Sequence, residues 1–93
     1  MSRKEILEEL LQHLQSDLNL TPEQSTSLKG LVQTHMEQRK ALRTRFGDDK
    51  AGRKEAVKPL NKQLRTDIGS LLDARQQGIF QEKKDTYKEM LRD

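Results

Sequence analysis

The amino-acid sequence predicts an all-α protein of about four helices, in which the second and third helices form a long amphipathic hairpin. Apolar residues recur at spacings of three and four positions through most of the chain. Two segments also contain the residues of well-formed helix N-termini, each directly before a periodic run. Because the chain has only 93 residues, we expect a single helical domain spanning residues 1–93.

The first predicted helix spans residues 3–17, and the second spans residues 22–46. One face of the first helix is apolar and consists of Leu7, Leu10, Leu11, Leu14 and Leu18. The second helix has a clear start, because Thr21 is a good N-cap, Pro22 suits the first helical position and Gln24 completes a capping box.

The third predicted helix spans residues 50–71, after a Gly-Asp-Asp turn signal, with a kink or break near Pro59. Its apolar stripe consists of Val57, Leu60, Leu64, Ile68 and Leu71. A second capping pattern follows, with Asp73 as the N-cap and Gln76 three residues later. This pattern begins the fourth predicted helix, residues 74–91.

Composition limits the functions that the chain can have. It is 31% hydrophobic, 3% aromatic and 35% charged, so a core thick enough to surround an enzyme pocket is hard to build. The absence of cysteine excludes disulfides and cysteine-type zinc sites, and no phosphate-binding loop or nucleophile elbow occurs. We therefore expect no enzymatic activity and no cofactor. No apolar run has the length of a membrane span, so no membrane insertion is expected.

Basic residues are concentrated in the middle of the chain, while its first twenty residues are net acidic. On the third helix the cations follow spacings of four, four and three, which predicts a ridge beside the apolar face. With nearby residues of the second helix, this ridge forms the predicted partner-binding set: Met36, Arg39, Lys40, Arg43, Phe46, Lys54, Lys58, Lys62 and Arg65. Charge would attract acidic or partly unfolded chains, and the apolar members would add short-range contact. The alternative is a hydrated charged face that only keeps the protein in solution.

Two polar residues interrupt the apolar stripe of the second helix, His35 and Arg39. A buried charge is unfavourable unless it is paired, which leaves three interpretations: a dimer seam or helix edge, a concave partner-binding surface, or a pH response of His35. His13, the other histidine, lies on a different predicted helix, and no His-x-x-x-His pair exists. His13 and His35 are therefore weak metal candidates, and no metal site is predicted.

The two capping segments share the form L-[TD]-x-x-Q, with Leu20, Thr21 and Gln24 in the first and Leu72, Asp73 and Gln76 in the second. At these residues the chain resembles the LTxxQ-motif family of bacterial periplasmic proteins, the Spy/CpxP-like group. The second motif departs from the family pattern by having Asp in place of Thr, although Asp can also cap a helix. The resemblance implies a thin, antiparallel, cradle-like homodimer that binds unfolded or stress-related proteins without ATP. Some family members act on a sensor protein or are associated with zinc, so the resemblance also implies these as possible partners.

The function expected from these features is that of an ATP-independent helical chaperone or envelope-stress adaptor, which binds unfolded or partner proteins on a basic and apolar face. A homodimer is expected because each apolar stripe is narrow. One alternative is a nucleic-acid-associated basic protein, favoured by a sequence pI of about 9.3 and disfavoured by interleaved acidic residues and few aromatics. Another is a dedicated protein–protein adaptor, including one related to metal stress. The expected location is the periplasm, with an export signal already removed, and the alternative is the cytoplasm.

Overall fold

The computed structural model describes residues 3–91, and within that range the chain contains five α-helices and no strand. The helices are α1 (Arg3–Leu18), α2 (Pro22–Phe46), α3 (Lys50–Ser70), α4 (Ala74–Glu82) and α5 (Lys84–Leu91). The predicted all-helical class is therefore confirmed, with one helix more than expected.

The α2–α3 hairpin forms where the sequence predicts it. Helix α2 has both predicted ends, and it stops at Gly47, whose positive φ of 55° suits glycine and whose N–H donates to the Arg43 carbonyl. After a short turn, the Asp49 side chain accepts the Gly52 N–H and caps α3. Contacts between α2 and α3 are the most extensive of any helix pair.

The structure bears on two predictions about helix continuity. Of the two alternatives near Pro59, a break is absent because α3 continues from Lys50 to Ser70, and a kink stays a prediction. Pro59 is exposed, so water can hydrate the carbonyl group that the proline leaves without an N–H partner. The predicted fourth helix, residues 74–91, is instead interrupted at Lys83, where φ is −102° and ψ is 10°. No glycine or proline marks this position, and the interruption allows α4 and α5 each to pack against α1.

Helix α1 is the central element of the core. It packs against α2, α4 and α5, and its leucine face is almost completely buried. The main buried cluster comprises Leu7, Leu10, Leu14, Leu18, Leu28, Val32, Leu64, Ile68, Leu72, Phe80, Tyr87 and Leu91. The chain therefore closes a core of its own, and its radius of gyration of 13.4 Å is close to the roughly 12 Å of a compact domain of this length. The dimeric cradle remains a prediction.

The two L-[TD]-x-x-Q motifs meet in space and join two helix starts. Both capping boxes are confirmed: Thr21 with Gln24 at the start of α2, and Asp73 with Gln76 at the start of α4. The two glutamine amides also bond to each other, with Nε2 to Oε1 distances of 2.7 Å and 3.0 Å. We call this pair the glutamine clasp.

The glutamine clasp also holds the ends of the two preceding helices. The Gln24 amide donates to the Leu71 carbonyl at 2.9 Å, beyond the end of α3, and the Gln76 amide donates to the Leu18 carbonyl at 3.2 Å, at the end of α1. Each glutamine thus satisfies a cap N–H, a partner amide and an orphan carbonyl. The repeated motif has a structural role, which is to fasten four helix termini at one end of the fold.

A second polar cluster joins α1 to the C-terminal part of the chain. The buried Tyr87 hydroxyl donates to Asp17 Oδ2 at 2.9 Å, and Lys83 Nζ lies 3.2 Å from Asp17 Oδ1. Burial raises the pKa of Asp17, but the hydrogen bonds from Tyr87 and Lys83 outweigh it and hold that pKa below the usual 3.8. Burial, together with the bond to Asp17, raises the pKa of Tyr87 above its usual value. Phe80 stacks on the Tyr87 ring at a centroid distance of 5.3 Å.

Candidate partner-binding site

The basic ridge predicted on the third helix lines a single groove between α3 and α5. The residues of this α3–α5 groove are Lys54, Val57, Lys58, Asn61, Lys62, Arg65 and Lys88. The four ridge cations are Lys54, Lys58, Lys62 and Arg65, and they share one side of α3 because their spacing follows the helical repeat. The structure thus brings together the whole α3 portion of the predicted partner-binding set.

The electrostatic character of the α3–α5 groove is uniformly positive. Five of its seven lining residues are cationic, and among the described residues no aspartate or glutamate lines it. Glu55 lies outside the groove and contacts Lys58 at 2.9 Å, but the two side chains are 72% and 62% exposed. An ion pair so exposed to water is weak, so Lys58 remains able to attract another anion.

Sequence reasoning missed Lys88, the cation that α5 contributes to this groove. Lys88 lies in the segment predicted as the end of a fourth helix, and neither its spacing nor its neighbours distinguish it from other surface lysines. Its position beside α3 depends on how α5 packs in the fold. The helical repeat of a single segment carries no information about that packing.

A second groove, the α2 groove, contains most of the α2 residues of the predicted partner-binding set. It is lined by Lys4, Gln33, Met36, Glu37, Arg39, Lys40 and Arg43. Met36 is partly buried, so this groove combines apolar surface with charges of both signs. The lining residues described for the two grooves do not overlap, so the predicted partner-binding residues other than Phe46 are divided between two surfaces of different chemistry.

Phe46 belongs to neither groove. It is half-buried at the end of α2, and the Arg45 guanidinium lies over its ring, 5.6 Å from the centroid. A Cβ atom added to Gly52 would lie only 2.9 Å from Phe46 Cδ1, so the ring packs closely against the start of α3. Phe46 therefore contributes to the hairpin turn, where part of its ring is accessible.

Arg39, a member of the predicted partner-binding set, is buried within its own chain, and its part in partner binding stays a prediction. Its side chain is only 3% exposed. Arg39 Nε donates to His35 Nε2 at 2.8 Å, and Nη2 donates to Asn61 Oδ1 at 2.7 Å. Nη2 also donates to the Leu91 carbonyl. The guanidinium is thus hydrogen-bonded within its own chain, and the interpretation that a second chain satisfies it is not needed.

His35 has a fixed proton arrangement in this cluster. Its side chain is 2% exposed, and Nε2 must lack a proton because it accepts the Arg39 Nε–H. This geometry requires neutral imidazole with its proton on Nδ1. His35 therefore orients Arg39 rather than facing a partner.

The buried cluster lies between the two grooves and fixes the end of α5. Arg39 lines the α2 groove and Asn61 lines the α3–α5 groove. Asn61 Nδ2 donates to the Leu91 carbonyl at 3.1 Å, the same oxygen that accepts from Arg39. Because a positive donor at a helix C-terminus is favourable, this arrangement anchors α5 and places Lys88, three residues earlier, over α3. Sequence reasoning missed Asn61.

The remaining predicted features concern metals and membranes. His13 is exposed on α1, whereas His35 is buried on α2, and residues 3–91 hold no group of three or more potential metal-ligating side chains. In the same part of the chain, no helix is both long and apolar enough to cross a membrane.

No model of a protein family matches the chain, no curated protein matches it in sequence, and no solved structure matches it.

Proposed function

We propose that this protein is an ATP-independent binding protein that captures unfolded or stress-related proteins, as a chaperone or as an envelope-stress adaptor. The observation that carries the proposal is the α3–α5 groove, where cations from two helices converge and no acidic side chain of the described residues takes part. A concentration of one sign of charge in a concave surface raises the local concentration of oppositely charged partners. No catalytic role is proposed.

The proposed mechanism is reversible capture in two stages. The α3–α5 groove attracts an acidic region of the client over a distance set by ionic screening, and the α2 groove then supplies short-range contact through Met36. Charged contacts of this kind affect the association rate and its salt dependence more than the final affinity. Reversible binding lets a protein that acts without ATP release its client.

The oligomeric state and location form part of the same proposal. We propose a homodimer that extends the grooves into a cradle, and a periplasmic location; both rest on the likeness of the two glutamine motifs to the LTxxQ pattern. Light scattering at tens of micromolar tests the dimer. A fully helical monomer at that concentration would contradict it.

Suppression of aggregation tests the proposed function. We expect the protein to slow the aggregation of an acidic denatured client at a near-stoichiometric ratio, with less protection as the salt concentration rises. Several clients of different net charge should be compared, since a dedicated adaptor would protect only one. No protection of any client at severalfold excess would contradict the chaperone form of the proposal.

Nucleic-acid binding is the second candidate, because a cationic groove also attracts phosphate groups. Aromatic side chains that stack on bases are a usual part of single-strand binding sites, and none of the described aromatic residues lines the α3–α5 groove. A salt-dependent titration with duplex and single-stranded DNA separates the two functions. Binding that persists at moderate ionic strength would favour nucleic acid, and a flat titration would remove this candidate.

A further inference from the structure

We infer that the α3–α5 groove recognises an extended run of acidic residues in the client, and that the α2 groove does not. This inference rests on the proposed function, because it names the part of a protein client that binds first. It also assigns the two halves of the predicted set different roles.

The spacing of the groove cations matches an extended acidic segment. Lys54, Lys58 and Lys62 follow one another at four-residue intervals, which on a helix corresponds to about 6 Å along the axis. Alternate side chains of an extended chain recur at about 6.5 Å. An extended segment with Asp or Glu at every second position can therefore place one carboxylate beside each lysine of the ridge.

The length of the groove defines how much of a client it can hold. From Lys54 to Arg65 the ridge covers about 16 Å along the helix axis, which corresponds to about five residues of extended chain. A run of two or three alternating carboxylates therefore fills it.

Lys88 adds a second wall to the site. It belongs to α5, so a carboxylate between the helices can meet ammonium groups from both sides. Asn61, also in the groove, already bonds to Arg39 and to the Leu91 carbonyl, and Val57 is nearly buried. The groups that remain available to a ligand are therefore the four lysines and Arg65.

The α2 groove has a different chemistry. Glu37 lies among its lining residues, and the guanidinium of Arg39 is hydrogen-bonded to buried partners. Among the described residues, its remaining accessible cations are Lys4, Lys40 and Arg43, beside the apolar Met36. This mixture suits the apolar parts of a client better than a run of carboxylates.

The experiment uses the whole protein and a labelled peptide with glutamate at alternate positions. Fluorescence anisotropy at low ionic strength compares the wild type with Lys62→Gln/Lys88→Gln, which removes one cation from each wall of the groove. The matched control is Lys29→Gln/Lys50→Gln, which removes the same charge from exposed lysines outside both grooves. We expect binding to weaken roughly tenfold in the groove variant, as for the loss of two exposed ion pairs, and less than about twofold in the control.

Three results would overturn the inference. Equal weakening in both variants would show that net charge alone attracts the peptide. Tighter binding of a single-stranded oligonucleotide of the same charge would assign the groove to nucleic acid. Lack of peptide binding, in a protein that still suppresses aggregation, would remove the acidic-segment site while leaving the proposed function intact. Circular dichroism of each variant confirms that the comparison is made between folded proteins.

Discussion

Replacing Arg39 by methionine should destabilise the protein strongly, although the residue carries a charge on a basic helix. Methionine fills much of the same volume but donates no hydrogen bond. His35 Nε2 and Asn61 Oδ1 would each lose the donor that they have in the folded state. The Leu91 carbonyl would keep its bond from Asn61. The substitution therefore leaves two acceptors without their donor, His35 Nε2 in a buried environment and Asn61 Oδ1 in a partly buried one.

The size of the expected stability loss follows from these two unpaired acceptors. Each buried acceptor without a partner costs about 1–3 kcal/mol, and burial of the apolar methionine side chain offsets part of the total. We expect a loss of about 2–4 kcal/mol in the free energy of unfolding, out of about 5–14 kcal/mol for a chain of this length. The midpoint of thermal unfolding should fall by roughly 10–30 °C.

Urea denaturation followed by circular dichroism measures this loss directly. The matched control is Arg43→Met, one helical turn later on α2 and exposed, which should change stability by less than about 0.5 kcal/mol. Arg39→Lys should be intermediate, because a single ammonium cannot reproduce the geometry of a guanidinium. Equal stability of the Arg39→Met and Arg43→Met proteins would refute the structural role of Arg39.

Two further predictions concern the other polar clusters. Gln24→Ala and Gln76→Ala should each lower stability by about 1–2 kcal/mol through the lost cap and the lost amide pair. Their double mutant should lose at least about 0.5 kcal/mol less than the sum, and additive losses in urea denaturation would contradict the clasp. At alkaline pH, Tyr87, the only tyrosine, should stay protonated while the chain is folded. Its raised pKa stabilises the fold below pH of about 10, and this contribution is lost as the pH rises further. Tyrosinate absorbance should therefore appear together with unfolding, and Tyr87→Phe should flatten the alkaline loss of stability. Loss of the Tyr87 proton near pH 10, the usual pKa of tyrosine, in a chain that is still folded would contradict its burial. At the acidic end, Asp17 stabilises the fold above its usual pKa of 3.8, and that contribution is lost as the pH falls through its lowered pKa.

Local chemistry made the helix starts predictable from the sequence. Thr21 with Gln24 and Asp73 with Gln76 are complete capping boxes within four residues, so their formation depends little on the rest of the fold. That the two boxes bond to each other could not be read from either segment. The glutamine clasp depends on the packing of helices that are 52 residues apart in sequence.

Long-range packing explains the errors as well. The apolar stripe of α2 correctly placed Arg39 on its inner side, but the periodicity did not show what lies opposite. Asn61 from α3 and the Leu91 carbonyl from α5 supply the polar partners, and so a cation fits in the interior. Lys88 and the interruption at Lys83 were missed for the same reason, since both depend on how the C-terminal segment packs against α1 and α3.

The fold also separates the networks that stabilise it from the surface proposed to bind partners. The glutamine clasp fastens helix termini at one end of the molecule, and the Arg39 cluster anchors α5 beside α3. The lysines of the α3–α5 groove are exposed and are not part of either network. Variants of these lysines should therefore affect partner capture with little effect on folding. The binding surface can thus be mapped by substituting them one at a time.

Nuclear magnetic resonance of the isotope-labelled protein, titrated with an acidic denatured client, tests the central claim most directly. Binding in the α3–α5 groove predicts that backbone amide shifts change mainly between residues 54 and 65 and around Lys88. Changes confined to α4 or to the exposed face of α1, or the absence of any change at client excess, would contradict the claim.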